Sequence, residues 1–261
     1  MNDPLLFFYC ITGEPCSPTD LPDGVRCLGF GTLYAIAKDV SSDEFSEENL
    51  IKNFGDLEWV EKHVREHIST ISRIMAHHTV IPFKFGTIFN SEENLGKFIS
   101  EYSDSLHENI IHVTGKEEWS VKIYSNREVL TKMINGFSME LLNMEQEMEK
   151  STPGKAFILK RRRAELMDKE IERVIRNCGQ TCFDGLARHS EETRINNLLP
   201  REVTEHPDDM ILNAVFFIKK QHVEEFLKSV GEGREKYGSG GFSLEVTGPW
   251  PPFNFISIKE K

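Results

Sequence analysis

The sequence predicts an α+β protein of two domains, the second a modified ferredoxin-like fold carrying a long helical insertion. Three observations lead there. The hydrophobic spacing switches repeatedly between a period of two and a period near 3.6, so strands and helices share the chain. At 261 residues and 39% hydrophobic content, the chain is long enough for two ordinary cores. In the second half the elements run strand, helices, strands, helix, strand, which is the order of a split β-α-β unit. The expected division is 1–112 for an N-terminal α+β domain and 113–243 for the ferredoxin-like domain. Residues 244–261 are then a final strand and a Pro/aromatic tail that packs on the body.

Leu5-Leu-Phe-Phe-Tyr-Cys-Ile11 is a short apolar run closed by Gly13 and Pro15, and reads as a buried opening strand. A loop rich in Pro and Asp follows, and 25–28 with 31–37 read as a strand pair around Gly29 and Gly31. Residues 39–53 are acidic and polar, a solvated connection or short helix. From 57 to 77 the period becomes helical, with Trp59, Val60, Val64, Ile68, Ile71, Ile74 and Met75 on one face. Pro82 and Gly86 interrupt the apolar run 79–89, which predicts an edge strand, a tight bend and a second short strand. Ser91 caps a helix whose buried stripe is Leu95, Phe98, Ile99, Tyr102 and Leu106.

The second domain opens on a strand in which Trp119, Val121 and Ile123 alternate with Ser120, Lys122 and Tyr124. Asn126 caps the next helix, with Val129, Met133, Ile134, Leu141 and Leu142 as its apolar positions. Ser151-Thr-Pro-Gly154 breaks it, and a long charged helix covers 155–177. Residues 186–199 alternate weakly, 200–209 is a polar loop, and 210–218 is the most strongly apolar strand. A helix over 219–230 and a loop over 231–241 lead to the last strand, where Phe242, Leu244 and Val246 share a face. Gly248, Pro249, Pro251 and Pro252 are expected to stop the ladder there. The tail beyond carries Trp250, Phe253 and Phe255, three rings that the body or a partner must cover.

A formal charge of −11 argues against a phosphate-binding surface over the whole molecule, so no nucleic-acid partner is expected. No apolar run nears the ~18 residues of a membrane span. Asp3 and Pro4 stand where a signal peptide has basic residues, so a cytoplasmic chain without a membrane partner is expected. Five cysteines do not suggest a disulfide framework in a chain this long. Cys178 and Cys182 share a helix face, but two thiols are too few for a zinc site.

His63-Val-Arg-Glu-His67 matches the H-x-x-E-H pattern of inverted zinc proteases. A metal-dependent hydrolase using His63, Glu66 and His67 is therefore the alternative reading. No third ligand is identifiable, so both histidines are expected to be ordinary surface residues, and no metal or cofactor is expected. Lys160-Arg-Arg-Arg163 is the one basic spot, read as a solvated helix face paired with Glu165 and Glu170. A ligand-sensing module with an anion site at Arg161, Arg162 and Arg163 is a further alternative.

Four stretches together resemble the gas vesicle protein family that contains the F and L accessory proteins. They are Thr79-Val-Ile-Pro-Phe-Lys-Phe-Gly-Thr-Ile-Phe89, Thr152-Pro-Gly-Lys-Ala-Phe-Ile-Leu-Lys-Arg-Arg-Arg163, Leu212-Asn-Ala-Val-Phe-Phe-Ile218 and Leu244-Glu-Val-Thr-Gly-Pro-Trp-Pro-Pro-Phe-Asn-Phe255. The resemblance implies a non-enzymatic accessory or minor structural protein, cytoplasmic and gas vesicle-associated. It implies binding to the apolar major shell protein and to other accessory proteins during vesicle nucleation and assembly. This chain departs from the usual family pattern in having Phe83 and Lys84 where Leu and Arg are typical, and Phe157 and Phe253 where Tyr is common. The lysine keeps the charge but loses the planar guanidinium fork. Candidate partner-binding residues are Pro82, Phe83, Lys84 and Phe85, the arginines Arg161, Arg162 and Arg163, and Trp250, Phe253 and Phe255.

Overall fold

The computed structural model describes residues 5–259. The chain is α+β and forms two compact units, one of residues 1–118 with 249–261 and the other of residues 119–248. The chain therefore leaves the first unit once and re-enters it near its end.

The first unit is built on a five-stranded sheet. Its strands are β1 (Leu5–Thr12), β2 (Val25–Phe30), β3 (Leu33–Val40), β4 (Val80–Pro82) and β5 (Ile88–Phe89). The order is β2-β3-β1-β4, with β5 also paired to β1. β1 is central because nearly all of it is apolar, and both of its faces are covered. On one face lie α1 (Ser42–Phe45), α2 (Glu47–Asn53) and α3 (Leu57–Met75), whose Phe45, Leu50, Ile71 and Ile74 pack with Phe7, Tyr9 and Cys10. On the other lie α4 (Glu92–Glu101) and α5 (Ser103–Val113), whose Leu95, Ile99 and Leu106 pack with Leu6, Phe8 and Ile11. A register shift between Phe8 and Cys10 makes this division possible. The bulge at Tyr9 inverts the alternation, so Tyr9 and Cys10 share one face and Ile11 returns to the face of Leu6 and Phe8.

Several expectations change here. The acidic 39–53 segment is two short helices, held by the burial of Phe45 and Leu50. The helix from Ser91 is two helices broken at Tyr102, whose backbone (φ −97°, ψ 11°) leaves the helical region. The 79–89 run forms β4, a bend and β5 as anticipated, with Gly86 at φ +83° where a side chain would be strained.

The second unit carries β6 (Lys116–Ser125), α6 (Arg127–Phe137), α7 (Met139–Glu149), α8 (Pro153–Ala187), β7 (Glu192–Ile195), α9 (Arg201–Thr204), β8 (Asp209–Lys219), α10 (Val223–Gly238) and β9 (Phe242–Trp250). A 3-10 turn at Lys220–His222 leads into α10. The sheet order is β7-β8-β6-β9, the arrangement of a split β-α-β unit with α6, α7 and α8 inserted after the first strand. Its core joins Val121 and Ile123 of β6 and Leu212, Ala214, Phe216 and Ile218 of β8 to Leu130, Met167, Ile171 and Phe226 on the helices.

Several sequence expectations are corrected in this unit, and the first is the single helix from Asn126, which is two, α6 and α7, parted at Ser138 with extended backbone (φ −82°, ψ 105°). The long helix reaches Ala187, with Cys178, Cys182 and Leu186 continuing its buried stripe. Residues 231–238 are helical, not loop. At Gly233 a Cβ would sit 3.0 Å from Leu244 Cδ2, so glycine there matches close packing against β9. The last strand does not stop at Gly248 but runs through Pro249 to Trp250. It lies at the edge of its sheet, where a residue without an N–H costs no ladder bond.

Candidate functional site

The bend after β4 is fixed from three sides. Pro82 is buried and lies opposite Cys10 in the β1 register. The Phe83 N–H donates to the Tyr9 carbonyl at 2.9 Å, and the Phe83 ring packs 4.4 Å from Phe8. Lys84 is exposed, and its carbonyl accepts from the Thr87 hydroxyl at 2.7 Å, which closes the turn. Phe85 is half-buried among Phe7, Phe54, Trp59 and His67, with ring centroids 5.7 to 6.0 Å away.

The expectation of two surface histidines on α3 fails for His67, which is 1% exposed. The helix turns it toward the sheet, where it stacks on Tyr9 at 5.4 Å and its Nε2–H donates to the Phe83 carbonyl at 2.9 Å. Burial lowers its pKa below the usual histidine value, against the opposing pull of that carbonyl. Its Nδ1 is buried without a hydrogen-bond partner. His63 stacks on Trp59 at 4.1 Å, donates from Nδ1 to the Trp59 carbonyl at 2.8 Å and places Nε2 3.4 Å from Glu44 Oε1. Each histidine thus spends one ring nitrogen on a backbone carbonyl. Among the described residues no three His, Cys, Asp or Glu side chains are grouped to hold a metal ion.

Beside His63, Glu66 and His67 lies a cavity of about 250 Å³ that also takes in Tyr9, Glu44 and Phe85. Tyr9 has its hydroxyl pKa pushed up to about 12, first by burial and then by Glu66.

The tail divides its aromatic residues. Trp250 is 40% exposed, Phe253 is half-buried against the α3 face of the first unit, and Phe255 is 3% exposed. Asn254 holds the segment down, donating from its backbone N–H at 3.0 Å and its Nδ2 at 2.6 Å to the carboxylate of Glu118. Asn109 adds a second clasp, accepting from the Ser257 N–H at 3.1 Å and donating to the Ser257 carbonyl at 3.0 Å. Neither Glu118 nor Asn109 stood out in the sequence, because each lies among polar neighbours on an element whose inward face is set by larger side chains.

The basic cluster on α8 also divides. Arg163 turns inward, donating to Asn135 Oδ1 at 2.7 Å and lying 3.4 Å from Glu145. Arg161 stays exposed beside Glu165, and Arg162 is exposed with it. One turn earlier, Phe157 and Ile158 are 72% and 67% exposed, an apolar pair that the sequence reading placed in no site.

The family model described as gas vesicle synthesis protein GvpL/GvpF matches residues 5–257. The chain belongs to this family. Gas vesicle protein L of Streptomyces sp. (strain CB03234) is 22% identical over 278 aligned positions, covering 100% of this chain and 96% of that protein. Gas vesicle protein L of Haloferax mediterranei is 21% identical over 208 positions, covering 76% of this chain and 61% of that protein. The crystal structure of GvpF from Anabaena sp. PCC7120 superposes with a TM-score of 0.73 at 18% identity, covering 98% of this chain and all of that one. GvpF from Microcystis aeruginosa gives 0.67 at 19% identity, covering 97% and 99%. At these identities the structural likeness establishes the fold.

Family membership makes the chain a gas vesicle accessory protein, cytoplasmic and gas vesicle-associated, that works alongside other gas vesicle proteins. Separately, no helix among the described residues is long and apolar enough to cross a membrane.

Proposed function

We propose that the chain binds the major gas vesicle shell protein and other accessory proteins during vesicle nucleation and assembly, without catalysing a reaction. The observation that carries this reading is the family match over nearly the whole chain. The charge of −11 suits a carrier that keeps an apolar shell subunit in solution. In the first unit the partner-facing candidates are Trp250 and Lys84, the exposed members of their segments. Pro82, Phe83, Phe85, Phe253 and Phe255 are buried or half-buried and belong to the packing of the first unit. In the second unit Arg161 and Arg162, next to Phe157 and Ile158, form the corresponding candidate, with Arg163 anchoring the helix behind them.

The test is co-expression with the shell protein and capture on a tag, comparing wild type with Trp250→Ala and with Arg161→Glu/Arg162→Glu. Wild type is expected to retain the shell protein, and at least one variant to lose it while its circular dichroism is unchanged. Failure of wild type to retain or solubilise the shell protein ends the proposal.

A further inference from the structure

We infer that the cleft between α1 and α3, on the β1 face of the first unit, binds an organic cation: a guanidinium or a primary ammonium. The walls are aromatic. Phe7 and Phe45 meet edge-on at 5.6 Å, and Phe85 closes the side at 5.7 Å from Phe7. Such rings present negative faces to a cation.

The polar groups of the cleft are mainly acceptors with capacity to spare. Glu66 makes no hydrogen bond or ion pair among the described residues, although its charge reaches Tyr9. Glu44 has one oxygen held by the Trp59 indole N–H at 2.8 Å, with His63 Nε2 at 3.4 Å from that same oxygen, which leaves its other oxygen open. His67 lines the cleft with its Nε2–H spent on the Phe83 carbonyl and its Nδ1 buried without a partner, so Nδ1 reaches a ligand only if the ring shifts. Asp39 pairs at 2.6 Å with Arg26, which also holds Glu92 at 2.8 Å.

The cleft's lysine, Lys38, leans away over Gly24, its Cε 3.5 Å from where a Cβ would stand. An anionic ligand would meet two uncompensated carboxylates. An apolar one would desolvate the carboxylates without return. A cation with several N–H donors answers both carboxylates beside the aromatic wall. The volume, about 250 Å³, lies below the ~300–1,000 Å³ of drug-sized sites. It suits one side chain or a small amine, not a nucleotide.

The site is independent of the shell-protein reading, and the two tests fail separately. The experiment is calorimetric titration of the full chain at low salt with Nα-acetyl-arginine amide, with spermidine, and with Nα-acetyl-glutamate amide and Nα-acetyl-leucine amide as controls. Saturable one-to-one binding of the arginine probe is expected, weakened at least tenfold in Glu66→Gln and tightened in Lys38→Met. Glu66 is exposed and unpaired, so its substitution leaves the fold intact. Spermidine binding tenfold tighter than the capped arginine identifies a free polyamine as the ligand, and the reverse identifies a partner's side chain. The inference is overturned if neither cation saturates, if either control binds as tightly as the cations, or if Glu66→Gln binds as wild type does.

Discussion

Replacing Phe255 with alanine separates two roles that the tail combines. The ring is 3% exposed, and deleting a phenylalanine so deeply buried costs about 3–5 kcal/mol through lost burial and the cavity left behind. Trp250, five residues earlier in the same segment, is 40% exposed and leaves no sealed cavity when truncated, so its alanine variant should cost less, about 1–3 kcal/mol. In urea, with far-ultraviolet circular dichroism as the probe, the midpoint for Phe255→Ala should fall by about 1–3 M at a typical m-value, and that for Trp250→Ala by clearly less. Equal losses in both variants would show that Trp250 is structural and remove it from the partner-facing set. A Phe255→Ala variant within ~1 kcal/mol of wild type would refute the reasoning, because the tail would then be a loose appendage and not a part of the first unit's core.

Glu118→Gln sets an amide N–H against donors from Asn254 in place of one acceptor oxygen, and should cost about 1.5–3 kcal/mol in thermal or urea unfolding. Gly241 lies at φ +86° with its Cβ position 3.0 Å from Val129 Cβ, so Gly241→Ala should destabilise by about 1–3 kcal/mol; an unchanged melting temperature would contradict that geometry. Because burial depresses the pKa of His67, the unfolded chain takes up a proton that the folded one refuses. Its contribution is complete above the unfolded value of about 6.5 and erodes as pH falls below it, by at most ~1.4 kcal/mol per pH unit. His67→Gln, which keeps a donor for the Phe83 carbonyl, should flatten the slope of stability between pH 6.5 and 5, and an identical slope would rule His67 out as its source.

The elements that were legible in the sequence are those whose signal is local. The period of α3, the apolar run of β8 and the Pro82/Gly86 punctuation between β4 and β5 each follow from spacing or backbone chemistry in a single stretch. The misses come from neighbours distant in sequence. Pro249 extends β9 because the strand falls at an edge, and Gly231 and Gly233 stay helical in α10, where Leu244 of β9 packs close against the helix. His67 is buried because Phe7 and Tyr9 of β1, far earlier in the chain, face α3 and pack against its ring. Among the candidate residues, spacing and composition single out the aromatics of the bend and tail but do not divide Trp250 from Phe255. That division depends on Glu118, which meets the tail from 136 residues away.

That separation also sets an order in time. Ribosomes extend a chain by about 5–20 residues each second, so Asn254 is added some 7–27 s after Glu118. Throughout that interval the residues of the first unit's sheet and five helices are already synthesised, while the strap that carries Phe255 is not. The inserted unit can finish folding while its host is still open. A newborn chain therefore passes through a stage at which Phe255's seat is accessible to other molecules, and closes it only when synthesis reaches the tail.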